Sequence, residues 1–179
     1  MKHTLLSSAV ALTVSALALP ASAIDGTITI KGKLTQATCT VKVNNGSPDA
    51  TITLPSLSTS TLKSKEAAGK TAFTLNLTGC TDTIKGVRAY FEHGTTVDAA
   101  TGRLNNTDTT GAKNVQVEIR DNDDKPVYVG NTSQRAVKAM ELTSGGADLL
   151  YSANYYAEDA SAVVAGNLET LVTYSIDYE

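Results

Sequence analysis

The sequence has 179 residues with 15 Lys and Arg against 18 Asp and Glu, two Cys, two His, two Phe, seven Tyr and no Trp. The basic residues stand singly between acids, which excludes both the contiguous cationic footprint that grips a phosphate backbone and a polybasic membrane anchor. One domain, or two very small ones, is all this length supports.

Taken in chain order, the first predicted element is a leader. Lys2 and His3 precede an apolar run over residues 5–19; Pro20 ends it and Ala21-Ser22-Ala23 follows. This is the pattern of a secretory signal peptide over residues 1–23, with a small-residue cleavage site. Its core of roughly 15 residues is shorter than the ~20 needed to span a bilayer. The expected mature product is therefore exported and not inserted in a membrane. It would run from Ile24 to Glu179 with a formal charge of −4, since the leader takes away one Lys and no acid. A chain of that size buries roughly 70% of its unfolded surface, enough for one core.

The mature part is rich in Thr, Val, Ile and Tyr, whose branched or flat side chains suit a pleated surface. In residues 26–34, Gly-Thr-Ile-Thr-Ile-Lys-Gly-Lys-Leu, the apolar or small residues take even positions and the polar ones odd positions, the period of a half-buried strand. Residues 37–43 continue it. Further strands are predicted over 50–54, 71–78, 86–92, 114–120, 126–129, 136–142, 149–157 and 169–178. Turns are marked by residues 44–48, 105–111, 121–126 and 144–146. Only residues 60–68, with Ser or Thr at their start and Gly69 after them, read as a short helix. Short strands at this spacing predict an all-β sandwich or barrel.

Cys39 and Cys80 are the only cysteines. In an exported protein they are read as a disulfide, with roughly 4 kcal/mol of stabilisation on the chain-entropy estimate. A redox pair would favour the short Cys-x-x-Cys spacing, which is absent. Catalytic and metal chemistry finds few candidates. After the leader only His93 is left, so a multi-histidine zinc site cannot be built and any Ser-His-Asp triad must pass through that one residue. Ala67-Ala68-Gly69-Lys70-Thr71 resembles the end of a phosphate-binding loop, but Ser64 stands where that motif has glycine. Asp121-Asn122-Asp123-Asp124 lacks the glycine and distal Glu of a calcium loop and reads as a solvated hairpin turn. The triplets at Asn76, Asn105 and Asn131 fit the glycosylation pattern, which is frequent by chance in a Thr-rich chain. The sequence therefore predicts no enzyme, no cofactor and no metal.

Both ends of the mature part alternate: residues 24–34, and residues 171–178 up to Glu179. A terminal strand is ordinarily a member of its own sheet, but an extended apolar strand can also complete a neighbour's sheet. The ordered set of leader, alternating strand, Cys39, Leu77-Thr78-Gly79-Cys80, the tract at 151–156 with Tyr155-Tyr156-Ala157, and penultimate Tyr178 resembles the subunits of chaperone–usher fimbriae. It is similar to the type 1 major pilin family, with Glu179 where Gln is common.

The resemblance implies an incomplete immunoglobulin-like β-sandwich completed by a donor strand from a neighbouring subunit. Residues 24–36 would form the N-terminal donor extension and residues 37–179 the sandwich. The donor face would be Ile24, Ile28, Ile30, Gly32 and Leu34. The acceptor edge and chaperone contact would be Val172, Tyr174, Ile176, Tyr178 and Glu179. Implied partners are identical or related pilin subunits in an open filament, a periplasmic chaperone and an outer-membrane usher. The product would be a surface fimbria supporting cell adhesion. Glycine inside an apolar strand marks close backbone approach, so Gly32→Asn is expected to block polymerisation, and Ile28→Asp to weaken it by burying a charge. Two alternatives are a self-contained secreted β-sandwich binding module and a secreted hydrolase working through His93.

Overall fold

The computed structural model describes residues 29–31, 34 and 38–179. The chain divides into two compact units, Met1–Leu34 and Thr35–Glu179. In the first unit, Thr29, Ile30, Lys31 and Leu34 are exposed and outside any strand. Ile24, Ile28 and Gly32 lie outside the described residues, as does the leader.

The second unit is an all-β sandwich. Its strands are β1 (Thr40–Val43), β2 (Ala67–Thr78), β3 (Gly86–Phe91), β4 (Leu104–Asn105), β5 (Gln116–Arg120), β6 (Met140–Glu141), β7 (Ala147–Tyr156) and β8 (Tyr174–Tyr178). They form a five-stranded sheet of order β1-β2-β7-β5-β4 and a three-stranded sheet of order β6-β3-β8, with every adjacent pair antiparallel. Inward positions alternate as the pleat requires. Phe73, Leu75 and Leu77 from β2, Val117 and Ile119 from β5, and Val87, Ala89 and Phe91 from β3 meet in one core. Phe91 joins the layers: its ring stands edge-on to Tyr151 at 4.9 Å and to Phe73 at 6.5 Å. Edge-to-face contact suits the ring quadrupoles.

Turn chemistry follows the sequence closely. Asn44 and Asn45 both hold positive φ, as do Ser144 and Gly145, the pattern of primed two-residue turns. Asp121 accepts from the amides of Asp123 and Lys125, so its carboxylate closes a hairpin turn. Cys39 and Cys80 are bonded, tying the start of β1 to the end of β2.

Several expectations are corrected. Residues 60–68 are not a helix: a single 3₁₀ turn covers Thr59–Thr61, and β2 begins at Ala67, paired with Tyr156. Gly69 is the bulge of β2 and not a helix end; it sits at φ +68° where the register with β7 shifts. Residues 132–136 form a 3₁₀ turn, leaving only Met140–Glu141 of the predicted 136–142 strand. Residues 50–54 are not a strand, residues 126–129 make only the isolated Arg120–Pro126 bridge before turning at Val129, and the predicted 169–178 strand keeps only its last part, β8. The two-residue β4 was not anticipated. Lys70 lies in β2 and pairs with Asp124 at 2.9 Å, so the phosphate-loop likeness ends in a strand.

Candidate functional site

Neither β1 nor β8 has a second strand beside it among the described residues. These two edges, from different sheets, face each other across an open cleft of about 1000 Å³. Its floor is core: Phe73, Leu75, Phe91, Leu104, Val117 and Ile119 all reach it. One lip is Val41, Val43 and the extended run 48–54, where Ile52 and Leu54 turn inward while Thr51 and Thr53 stay exposed. The other lip is residues 168–173 followed by β8.

The predicted acceptor residues come together there. On β8, Tyr174, Ile176 and Tyr178 lie opposite Phe91, Ala89 and Val87 of β3, so they share the core face. Val172 continues that face, and all four line the cleft. The odd positions point the other way. Ser175 bonds Glu92 at 2.6 Å, and Asp177 is held by Arg135 at 2.8 Å and Arg88 at 3.5 Å. Glu179 is not part of the cleft lining. Its carbonyl accepts from the amides of Lys85 and Gly86, and its carboxylate meets Arg88 at 2.7 Å. Of the predicted donor residues, Ile30 is 91% exposed and Leu34 fully exposed.

Residues 169–173 hang by one side only. Thr107 and Glu92 amides donate to the carbonyls of Glu169 and Thr173, and the Thr96 hydroxyl donates to that of Leu171. Residues 49–54 form no backbone hydrogen bond with described residues. Among the described residues, the cleft thus combines an apolar floor with backbone groups that lack a partner, and holds no catalytic constellation. His93 is exposed at the end of β3, beside Gly130.

Tyr174 and Tyr178 also reach across. The Tyr174 hydroxyl donates to the carbonyl of Pro48 at 2.8 Å, and the Cys39 amide donates to the Tyr178 oxygen at 3.4 Å. Burial, then the nearby charge of Asp49, raises the Tyr174 phenol above its usual pKa. The lip at 48–54 and Leu168 were not among the predicted site residues. The Ile52/Leu54 alternation was visible in the sequence, but nothing local marked it as a lip instead of a paired strand.

Comparison with known proteins decides the family. The family model for type-1 fimbrial protein, A, matches residues 54–179. The chain belongs to this fimbrial protein family. It is 38% identical over 167 residues to the major fimbrial subunit SMF-1 of Stenotrophomonas maltophilia, covering 89% of this chain and 96% of the relative. Among solved structures, a chaperone–usher pilus subunit matches with TM-score 0.61 at 20% identity, over 86% of this chain and 95% of that one. The P pilus rod subunit PapA matches with TM-score 0.61 at 20% identity, over 79% and 99%. The sandwich is accordingly the immunoglobulin-like pilin fold. This fimbrial chain is a structural pilus subunit and surface component, not an enzyme.

Proposed function

We propose that the cleft accepts a β-strand from the leading segment of a second copy, so that subunits join head to tail by donor-strand exchange. The observation that carries this is the cleft itself: an apolar floor between two edges whose outer backbone groups have no strand beside them among the described residues. Residues 24–34 supply a matching strand. They number eleven, as do residues 168–178 along the lip; at about 3.3 Å per residue a strand of that length would span roughly 35 Å, matching the lip. Even positions would face the floor, placing Ile28, Ile30 and Leu34 in apolar surroundings and Lys31 and Lys33 at the rim. Burial of those three contributes roughly 1.5–3 kcal/mol each before ordering costs.

In this reading residues 1–23 are a signal peptide, 24–36 the donor extension and 37–179 the acceptor sandwich. An uncovered cleft of this kind invites aggregation, which gives a periplasmic chaperone its role: it covers the cleft and edge residues up to Glu179 until an outer-membrane usher passes the subunit to the growing fimbria, which supports cell adhesion. The test is to produce residues 24–179 with and without a periplasmic chaperone. Soluble yield that depends on the chaperone, and filaments that form on its release, are expected. A stable, closed monomer indifferent to removal of residues 24–36 overturns the reading in favour of a self-contained binding module.

A further inference from the structure

The two lips are joined by side chains from one strand. Tyr174 and Tyr178 stand on the cleft face of β8, and each makes a hydrogen bond to the opposite lip. At 2.8 Å the Tyr174–Pro48 bond has good length; at 3.4 Å the Cys39–Tyr178 bond lies beyond the usual range. Neither phenol serves the ladder of β8, which runs through backbone pairs with β3. The Pro48 carbonyl stands at the start of a lip that has no backbone bond of its own over 49–54 to described residues.

A strand laid along β8 takes a line about 4.8 Å from it, between the lips, with alternate side chains pointing to the floor. That is the space the Tyr174 ring crosses to reach Pro48. We propose that the Tyr174–Pro48 bridge must open before a strand can seat, and that Tyr174 thereby sets the rate of strand uptake. This rests on the reading of the cleft as a strand acceptor. Tyr174 is a gating residue: it holds the lips together until an incoming backbone replaces it.

The test uses the full chain and a fluorescent peptide of residues 24–36, with two measurements. Tyr174→Phe keeps the ring beside Phe91 and removes only the hydroxyl. Cleavage of the 48–54 lip by a non-specific protease, measured without peptide, is expected to speed up, and peptide uptake to become about fivefold faster, the factor for one net hydrogen bond. Tyr178→Phe, which removes the longer bond, is expected to change both less. Unchanged cleavage in Tyr174→Phe overturns the bridge. Faster cleavage with the original uptake rate overturns its rate-setting role. Peptide that binds neither protein overturns the strand-acceptor reading, and the cleavage measurement still decides whether the bridge exists.

Discussion

At the scale of single residues, Gln134 shows how one side chain can stand in for a strand. Beyond Val87, β3 has no strand on its β6 side among the described residues, yet Phe91 is buried and its backbone must be satisfied. The Gln134 amide does this in both directions, its oxygen accepting from the Phe91 amide at 2.9 Å and its nitrogen donating to the Phe91 carbonyl at 3.0 Å. Gln134→Ala should cost about 1–3 kcal/mol, the desolvation penalty of the orphaned Phe91 amide, since the Phe91 carbonyl keeps the Gly130 amide at 2.9 Å. A shift of the urea midpoint with unchanged slope would show it; no shift would mean that water replaces the amide. Tyr151 carries a second prediction. Burial raises its phenol pKa, opposed in part by a hydrogen bond with the Ala89 backbone. A raised folded pKa means that the neutral form is favoured by folding. The contribution is thus complete below the ordinary value of ~10 and is lost as pH climbs through the raised one. Unfolding midpoints should fall on the alkaline side, and less steeply in Tyr151→Phe. Some decline should persist there, because Tyr155 and Tyr174 shift upward as well. Equal slopes in the two proteins would count against the assignment.

At the scale of elements, the sequence was most legible where side-chain period and backbone pairing agree. Residues 71–78, 86–92, 114–120 and 149–157 alternate, and the cores of all four stretches are laddered strands. Residues 60–68 misled because Lys-Ser-Lys-Glu-Ala-Ala has good helix propensity, a weak preference that the long β2–β7 ladder overrides. Its cost is visible at Gly69, where β2 must bulge. A side chain there would adopt φ +68° and place Cβ 2.9 Å from the Tyr155 ring and 3.0 Å from Leu57. Gly69→Ala should therefore destabilise the sandwich by about 1–2 kcal/mol, from left-handed strain plus crowding. Thermal unfolding measures it, and an unchanged midpoint would mean that the bulge relaxes freely. The stretches 50–54 and 169–173 are the instructive failures. Both alternate as strands do, because Ile52, Leu54 and Val172 turn to the core, but neither belongs to a ladder. Alternation reports which way side chains face and says nothing about whether a neighbour is present to bond the backbone. Those two stretches are the lips of the cleft, so the site was least legible where it is most unusual. Its β8 half was named from family resemblance, and the 48–54 half emerged only from the tertiary arrangement.

At the scale of the whole molecule, the proposed contact is heterologous: a leading strand on one subunit meets a cleft on the next, and the two surfaces differ. Such a contact repeats without closing and builds a polar filament. Polarity makes a sharp prediction about defective subunits. A chain lacking residues 24–36 keeps its cleft and can accept a donor, but has nothing to offer onward. Mixed with intact subunits it should cap filaments at one end, and mean length should fall in inverse proportion to its mole fraction. Ile176→Asp has the opposite defect: its donor strand is intact, while a charge on the cleft face resists burial. It should cap the other end. Because the two caps act at different ends, filaments grown from a labelled seed should stop at one labelled end with the first variant and at the other with the second. Electron microscopy of such seeds reads this directly. If both variants stopped the same end, or if either merely reduced the amount of polymer without shortening it, the contact would not be a strand of one subunit in the cleft of another.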